Sequence, residues 1–135
     1  MDIKKVVVIG SGTMGSGIAA HLCNANIPVT LLDLKTEISE KARDRIHKSK
    51  PPLLLDRSRI DNIKVGNITD NFDVVKDADW IVEAVVERID IKHQIYEKIF
   101  KVRKDGAIVS SNTSSIPIKV LSEHLIDTEK KDFCI

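Results

Sequence analysis

The chain has 135 residues, 42% of them hydrophobic, which suits one globular domain with a real core. Its 21 basic residues are balanced by 20 acidic ones, so the charge bias of a bulk nucleic-acid or membrane-surface binder is absent. No apolar run reaches the 18 residues of a membrane span, and Met1 to Lys5 leave no room for a signal peptide before the first apolar segment. Cys23 and Cys134, the only cysteines, sit among apolar residues and read as buried free thiols of a reducing compartment, which places the protein in the cytoplasm. No histidine or cysteine pair has ligand spacing, so no metal is expected.

The first strand is predicted over residues 4–10, around Val6, Val7, Val8 and Ile9. It runs into Gly10, Gly12 and Gly15, spaced G-x-G-x-x-G, and a helix over 13–25 follows. A second apolar strand over 28–33 ends on Asp33. Strand, glycine turn, helix and strand-end acid together make the dinucleotide-binding fingerprint. Gly10 permits the tight turn, Gly12 lets backbone approach a pyrophosphate, and Gly15 lets the helix pack close to the sheet. Unpaired N–H groups at the helix N-terminus attract the same anion. The competing reading is a glycine-rich turn that binds nothing. Each glycine at a helix start costs up to about 1 kcal/mol relative to alanine, which an empty turn has little reason to carry. Asp33 stands 18 residues beyond Gly15, where a carboxylate bonds both ribose hydroxyls. A 2′-phosphate about 4 Å away would be repelled by about 4 kcal/mol at an effective dielectric near 20. NAD is therefore expected over NADP, with Lys35 close enough to soften the repulsion and no arginine adjacent to reverse it.

Beyond Asp33 a helix is predicted over 37–49, ended by Pro51-Pro52, with a short helix over 56–61. Ile63 to Ile68 alternates like a third strand, and Asp70 to Lys76 is a connection or short helix. Trp80 to Val86 is mostly apolar, as a central strand buried on both faces should be. Ile89, His93, Tyr96, Ile99 and Phe100 recur at helical spacing, and Ala107 to Val109 forms a fifth strand. A helix over 117–125 starts at Pro117, and Phe133 to Ile135 reads as a sixth strand just beginning. This alternation predicts an α/β fold, a Rossmann-type doubly wound parallel sheet spanning 1–135 and truncated at the start of its sixth strand.

Ligands of such sheets sit beyond the carboxyl ends of the strands. Glu87 and the run Ser111 to Ser115 fall there, placed to face the nicotinamide half of a dinucleotide. Ser114 or Ser115 could also cap the helix near Pro117. Glu83, inside an apolar strand, needs a partner that the sequence does not name. Trp80 reads as packing.

Gly10 to Gly15, Asp33, D-W-I-V-E-A-V-V-E over 79–87 with Lys92, and S-S-N-T-S-S-I-P-I over 110–118 together resemble the NAD-binding domain of 3-hydroxyacyl-CoA dehydrogenases. The resemblance covers essentially the whole chain. K-S-K-P-P-L-L-L, D-A-D-W and E-R-I-D-I-K look most like the large bacterial members, in which the dehydrogenase is fused to an enoyl-CoA hydratase-like region. The resemblance implies that Gly10, Gly12, Thr13, Met14 and Gly15 form the pyrophosphate loop and that Asp33 is the adenosine-ribose acid. It implies that Glu87 and Lys92 line the nicotinamide-ribose side. It makes Ser111 a catalytic residue touching the substrate hydroxyl or nicotinamide, and sets Ser49, more loosely, near the coenzyme A moiety. The implied reaction is oxidation of (S)-3-hydroxyacyl-CoA by NAD in fatty-acid β-oxidation. The implied partner is an acyl-CoA, without nucleic acid or membrane, and a homo-oligomer is expected only of the complete protein. The basic run Lys41, Arg43, Arg45, Lys48 and Lys50 either attracts coenzyme A phosphates or forms a solvated face balanced by Glu37, Glu40 and Asp44.

The chain departs from the family pattern in one respect. The family's base is a histidine in an H-F-F-N-P segment, which would follow Ile135 by a few residues, and its helical substrate domain lies further on. His21, His47, His93 and His124 do not match that histidine. The chain alone is therefore expected to bind NAD weakly at best and to turn nothing over. Two other readings stay open: an NAD(H)-binding or sensing module without catalysis, and a dehydrogenase of another small β-hydroxy acid.

Overall fold

The computed structural model describes residues 2–135. Its centre is β1 (Val6–Ile9), four consecutive apolar residues, all buried. Side chains alternate across a strand. Val6 and Val8 accordingly join one apolar cluster and Val7 and Ile9 the other. β1 pairs in parallel with β2 (Val29–Asp33) on one side and β4 (Trp80–Glu83) on the other. With β3 (Ile63–Asn67), β5 (Ile108–Ser111) and β6 (Phe133–Cys134), the sheet runs β3-β2-β1-β4-β5-β6, and every pairing is parallel. This is the Rossmann arrangement. The order reverses between β1 and β4, and at that switch point a crevice opens beyond the strands' carboxyl ends.

The helices α1 (Thr13–Asn24) and α2 (Thr36–Lys48) bring Ala19, Ala20, Ala42 and Ile46 onto the cluster of Val6, Val8 and Leu31. The helix α3 (Ile89–Val102) brings Ile95, Tyr96 and Ile99 onto that of Val7, Ile9, Ile81 and Val109. Each fully buried valine, leucine or isoleucine among them contributes about 1.5–3 kcal/mol. Two single-turn helices, α4 (Ile118–Leu121) and α5 (Asp127–Lys130), lead into β6. Among the described residues no helix is long and apolar enough to cross a membrane.

Several expectations need correction. The fourth strand stops at Glu83 rather than Val86. Ala84 makes the last ladder bond, to the Ile9 carbonyl (2.7 Å), and Ala84 to Val86 then line the crevice instead of the sheet. The fifth strand extends to Ser111, because the Ser110 and Ser111 hydroxyls find buried partners in Trp80 and Glu83. The helix predicted over 117–125 is a single turn, closed by the Ser122 N–H bonding the Ile118 carbonyl (2.9 Å), and a further single turn, α5, follows. Cys23 is buried, and burial pushes its thiol up. Cys134 is exposed, on β6 at the edge of the sheet formed by the described residues.

Candidate dinucleotide-binding site

The glycine turn has one steric reason at each position. Gly10 has φ +105°, a left-handed conformation, and a Cβ there would run into the Ala84 carbonyl. A Cβ on Gly15 would run into the Gly10 carbonyl, so α1 crosses the turn at a distance only glycine permits. Gly12 differs: a Cβ there meets nothing within 4 Å. The protein itself makes no demand for glycine at that position, which opens on the crevice. No side chain caps α1 and no acidic residue stands in its first turn, so its N–H groups face outward unneutralised. Thr13 and Met14 are exposed beside them.

The crevice has a volume of about 880 Å³. Asp33, Leu34 and Ile38 line one end, and Glu87 with Asn112 to Ser114 line the other. Asp33 Oδ2 accepts from the Ser11 N–H (2.8 Å) and hydroxyl (2.5 Å), and Oδ1 accepts from the Leu34 N–H (2.7 Å). Of the roughly four lone-pair positions of a carboxylate, one on Oδ1 remains open. Ser11, buried in the turn, thus fixes the acid that the fingerprint singles out, a role the G-x-G spacing leaves unspecified. Arg45, distant in sequence, also lines this end and donates to the Ser11 carbonyl (3.3 Å). An arginine does therefore approach Asp33's surroundings, from the facing side of α2.

At the other end, Glu87 accepts from the Ser114 N–H (2.9 Å), the Thr113 hydroxyl (3.0 Å) and the Ser115 hydroxyl (3.1 Å), and pairs with Lys92 (3.2 Å). The Ser114 backbone N–H, with Lys92 and Thr113, draws the Glu87 carboxyl down to about 2. Ser114 and Ser115 are therefore committed to Glu87 and do not cap α4, whose N-cap is Pro117.

Beneath this lies the partner set of Glu83. Its carboxylate accepts from Lys92 Nζ (2.6 Å), the Tyr96 hydroxyl (2.5 Å), the Ser111 hydroxyl (2.6 Å) and the Val85 N–H (2.9 Å). Glu83 and Lys92 are wholly buried. Burial, reinforced by the Glu83 charge, pushes the Tyr96 phenol far up, so it stays a donor. Ser111 spends its proton on Glu83 and presents only lone pairs elsewhere. It sits just behind the crevice wall formed by Asn112 to Ser114.

Ser49 stands apart, half-buried past the end of α2, with its hydroxyl on the Pro51 carbonyl (2.9 Å). Within the basic run, Arg43 is bound to the Ile63 carbonyl (2.8 Å) and Asp61 (3.2 Å), and Lys48 to Asp44 (3.1 Å). Only Arg45 of that run reaches the crevice.

A family model described as the NAD-binding domain of 3-hydroxyacyl-CoA dehydrogenase matches residues 5–135. The chain belongs to that family. A Rickettsia felis protein named as a fatty acid oxidation complex trifunctional enzyme is 43% identical over 141 residues, covering 99% of this chain and 20% of its own length. A Deinococcus radiodurans protein named as a 3-hydroxyacyl-CoA dehydrogenase is 43% identical over 130 residues, covering 91% of this chain and 38% of its own. Among solved structures, 3-hydroxybutyryl-CoA dehydrogenase of Escherichia coli superposes with a TM-score of 0.82 at 28% identity, over 96% of this chain and 29% of that one. Mycobacterium tuberculosis FadB2 gives 0.84 at 28% identity, over 98% and 48%. The chain thus spans between 20% and 48% of the length of these proteins.

Two outcomes follow for the site. Glu83→Gln leaves buried Lys92 with one exposed counter-charge, and the unfolding free energy in urea is expected to fall by about 3 kcal/mol. Adding Lys92→Met, which removes the stranded charge, is expected to recover part of that loss. The depressed Glu87 carboxyl contributes stability that is fully present above its ordinary value of 4.5 and is lost as pH falls through about 2. The urea midpoint is therefore expected to drop between pH 5 and pH 2, less steeply in Glu87→Gln.

Proposed function

We propose that the domain holds NAD along the crevice and that the protein containing it oxidises (S)-3-hydroxyacyl-CoA to 3-oxoacyl-CoA in fatty-acid β-oxidation. The observation that carries the reading is the glycine turn. Gly10 and Gly15 are required by the protein's own packing, whereas Gly12 is required by nothing in the protein and faces the crevice. In this reading the turn of Gly10, Gly12, Thr13, Met14 and Gly15 cradles the pyrophosphate with the N-terminus of α1. The open lone pair of Asp33 takes a ribose hydroxyl, and a 2′-phosphate would meet its charge. Glu87, kept ionised, takes the nicotinamide ribose, with Lys92 holding it in place.

Bound nicotinamide supplies the hydride acceptor. Ser111, whose proton is committed to Glu83, is left only acceptor lone pairs for the substrate hydroxyl, and because it lies buried behind the crevice wall, reaching that hydroxyl requires the loop Asn112 to Ser114 to give way. A proton must leave that hydroxyl as the hydride does, which needs a base in hydrogen-bond reach. Among the described residues no histidine lines the crevice. The base of the family pattern is assigned here to a histidine outside these 135 residues, together with the helical substrate domain. An acyl-CoA partner, a homo-oligomeric complete protein and a cytoplasmic location are parts of the same reading. Ser49 and the basic run keep only a peripheral role toward coenzyme A.

Titration of the chain with NADH and with NADPH, read by nicotinamide fluorescence, is expected to show binding of NADH in clear preference. Gly12→Ala is expected to weaken NADH at least tenfold while its urea midpoint stays near that of the parent. Equal binding of NADPH, or unchanged NADH binding in Gly12→Ala, would contradict the placement. Oxidation of 3-hydroxybutyryl-CoA by the complete protein tests the reaction itself. NADH binding without turnover there would favour a sensing module.

A further inference from the structure

On the flank of α3 away from Ile91 and Ile95, a second cleft lies between α3 and the turns after α4, lined by His93, Tyr96, Leu121 and His124. At its mouth, residues far apart in sequence meet. The His93 and His124 rings are edge to face, with centroids 4.3 Å apart. Glu123 Oε1 lies 3.6 Å from His124 Nε2 and 4.0 Å from His93 Nε2. The ligand atoms of all three fall within 4.8 Å of one another.

We propose that His93, Glu123 and His124 bind a first-row divalent transition-metal ion of the Zn²⁺ class. Two imidazoles and a carboxylate are the donor set such borderline ions favour, whereas Mg²⁺ and Ca²⁺ favour shells of oxygen. Bonds of 2.0–2.1 Å to a tetrahedral ion set ligand atoms about 3.3–3.4 Å apart. The two separations from Glu123 must close by less than 1 Å, and the separation between the two histidine nitrogens, bounded by 4.8 Å, by up to about 1.5 Å. His124 and Glu123, with side chains 69% and 53% exposed, are free to move, while His93, at 15%, is the fixed anchor. The fourth donor is the Val120 carbonyl oxygen, 3.0 Å from His93 Nε2. Without metal, His93 Nε2–H can donate to that oxygen. On binding, the metal takes the place of this proton, which is released to solvent. Nitrogen and carbonyl oxygen then point at a common centre. The bound ion ties α3 to the exposed side of the segment 120–124, whose Leu121 already packs into the core with Tyr96 and Ile99.

The test uses the 135-residue chain as Cys134→Ser, stripped of metal by a chelator, because the exposed Cys134 thiol is itself a ligand for such ions. Titration with ZnCl2 by calorimetry, and with CoCl2 by visible absorption, is expected to give one ion per chain and a higher Tm. MgCl2 is expected to leave the Tm unchanged. His124→Ala and Glu123→Gln alter exposed side chains, and each is expected to weaken Zn²⁺ at least tenfold without lowering the metal-free Tm. His93→Gln is expected to abolish the site. No 1:1 binding in the Cys134→Ser chain, or Zn²⁺ affinity unchanged in both His124→Ala and Glu123→Gln, would overturn the proposal.

Discussion

A single buried carboxylate organises the end of the molecule where the nicotinamide is proposed to lie. Glu83 closes β4, and its oxygens gather donors from α3 (Lys92, Tyr96), from β5 (Ser111) and from its own turn (the Val85 N–H). An ionised group in a dry interior costs several kcal/mol unless its lone pairs are met, and here four donors meet them. The network fixes where α3 sits against the sheet. It fixes the direction of the Ser111 hydroxyl, and through Lys92 it positions Glu87 at the surface. Glu87 in turn arrests the loop Thr113 to Ser115. A chain of charge and hydrogen bonds therefore runs from the core to the crevice wall.

The other end rests on steric constraint. Gly10 and Gly15 allow β1, α1 and the Ala84 backbone to approach one another closely, and this brings the N-terminus of α1 to the switch point of the sheet. Ser11 then locks Asp33 toward the same crevice. The two ends have different physical origins and share β1 and β4, which are adjacent in the sheet. The spacing between the proposed adenosine and nicotinamide subsites is thus set by strand pairing.

The β1-α1-β2 unit is legible in the sequence because its signals are local: an apolar run, glycines at fixed offsets and an acid at a strand end. Strand limits are less legible where apolar residues serve the crevice instead of the sheet, as at Ala84 to Val86. Serines in strands, as at Ser110 and Ser111, hide for the converse reason: their polarity is satisfied by buried partners from other elements. The partner of Glu83 was in principle readable, since Lys92 and Tyr96 sit four apart on the apolar face of α3, and a lysine on a buried face needs a carboxylate. The proximity of Arg45 to Ser11 and of His93 to His124 depends on tertiary packing across long separations, and sequence spacing carries no trace of it.

The central claim, that one crevice at the carboxyl ends of β1, β2, β4 and β5 takes the dinucleotide, is tested most directly by mapping backbone amide chemical shifts during an NADH titration. The account predicts the largest changes at Ser11 to Gly15, at Asp33 and Leu34, at Ala84 to Glu87 and at Asn112 to Ser114, with the far ends of the strands unmoved. Changes centred elsewhere, or saturating binding that leaves the glycine turn and Asp33 unperturbed, would contradict it.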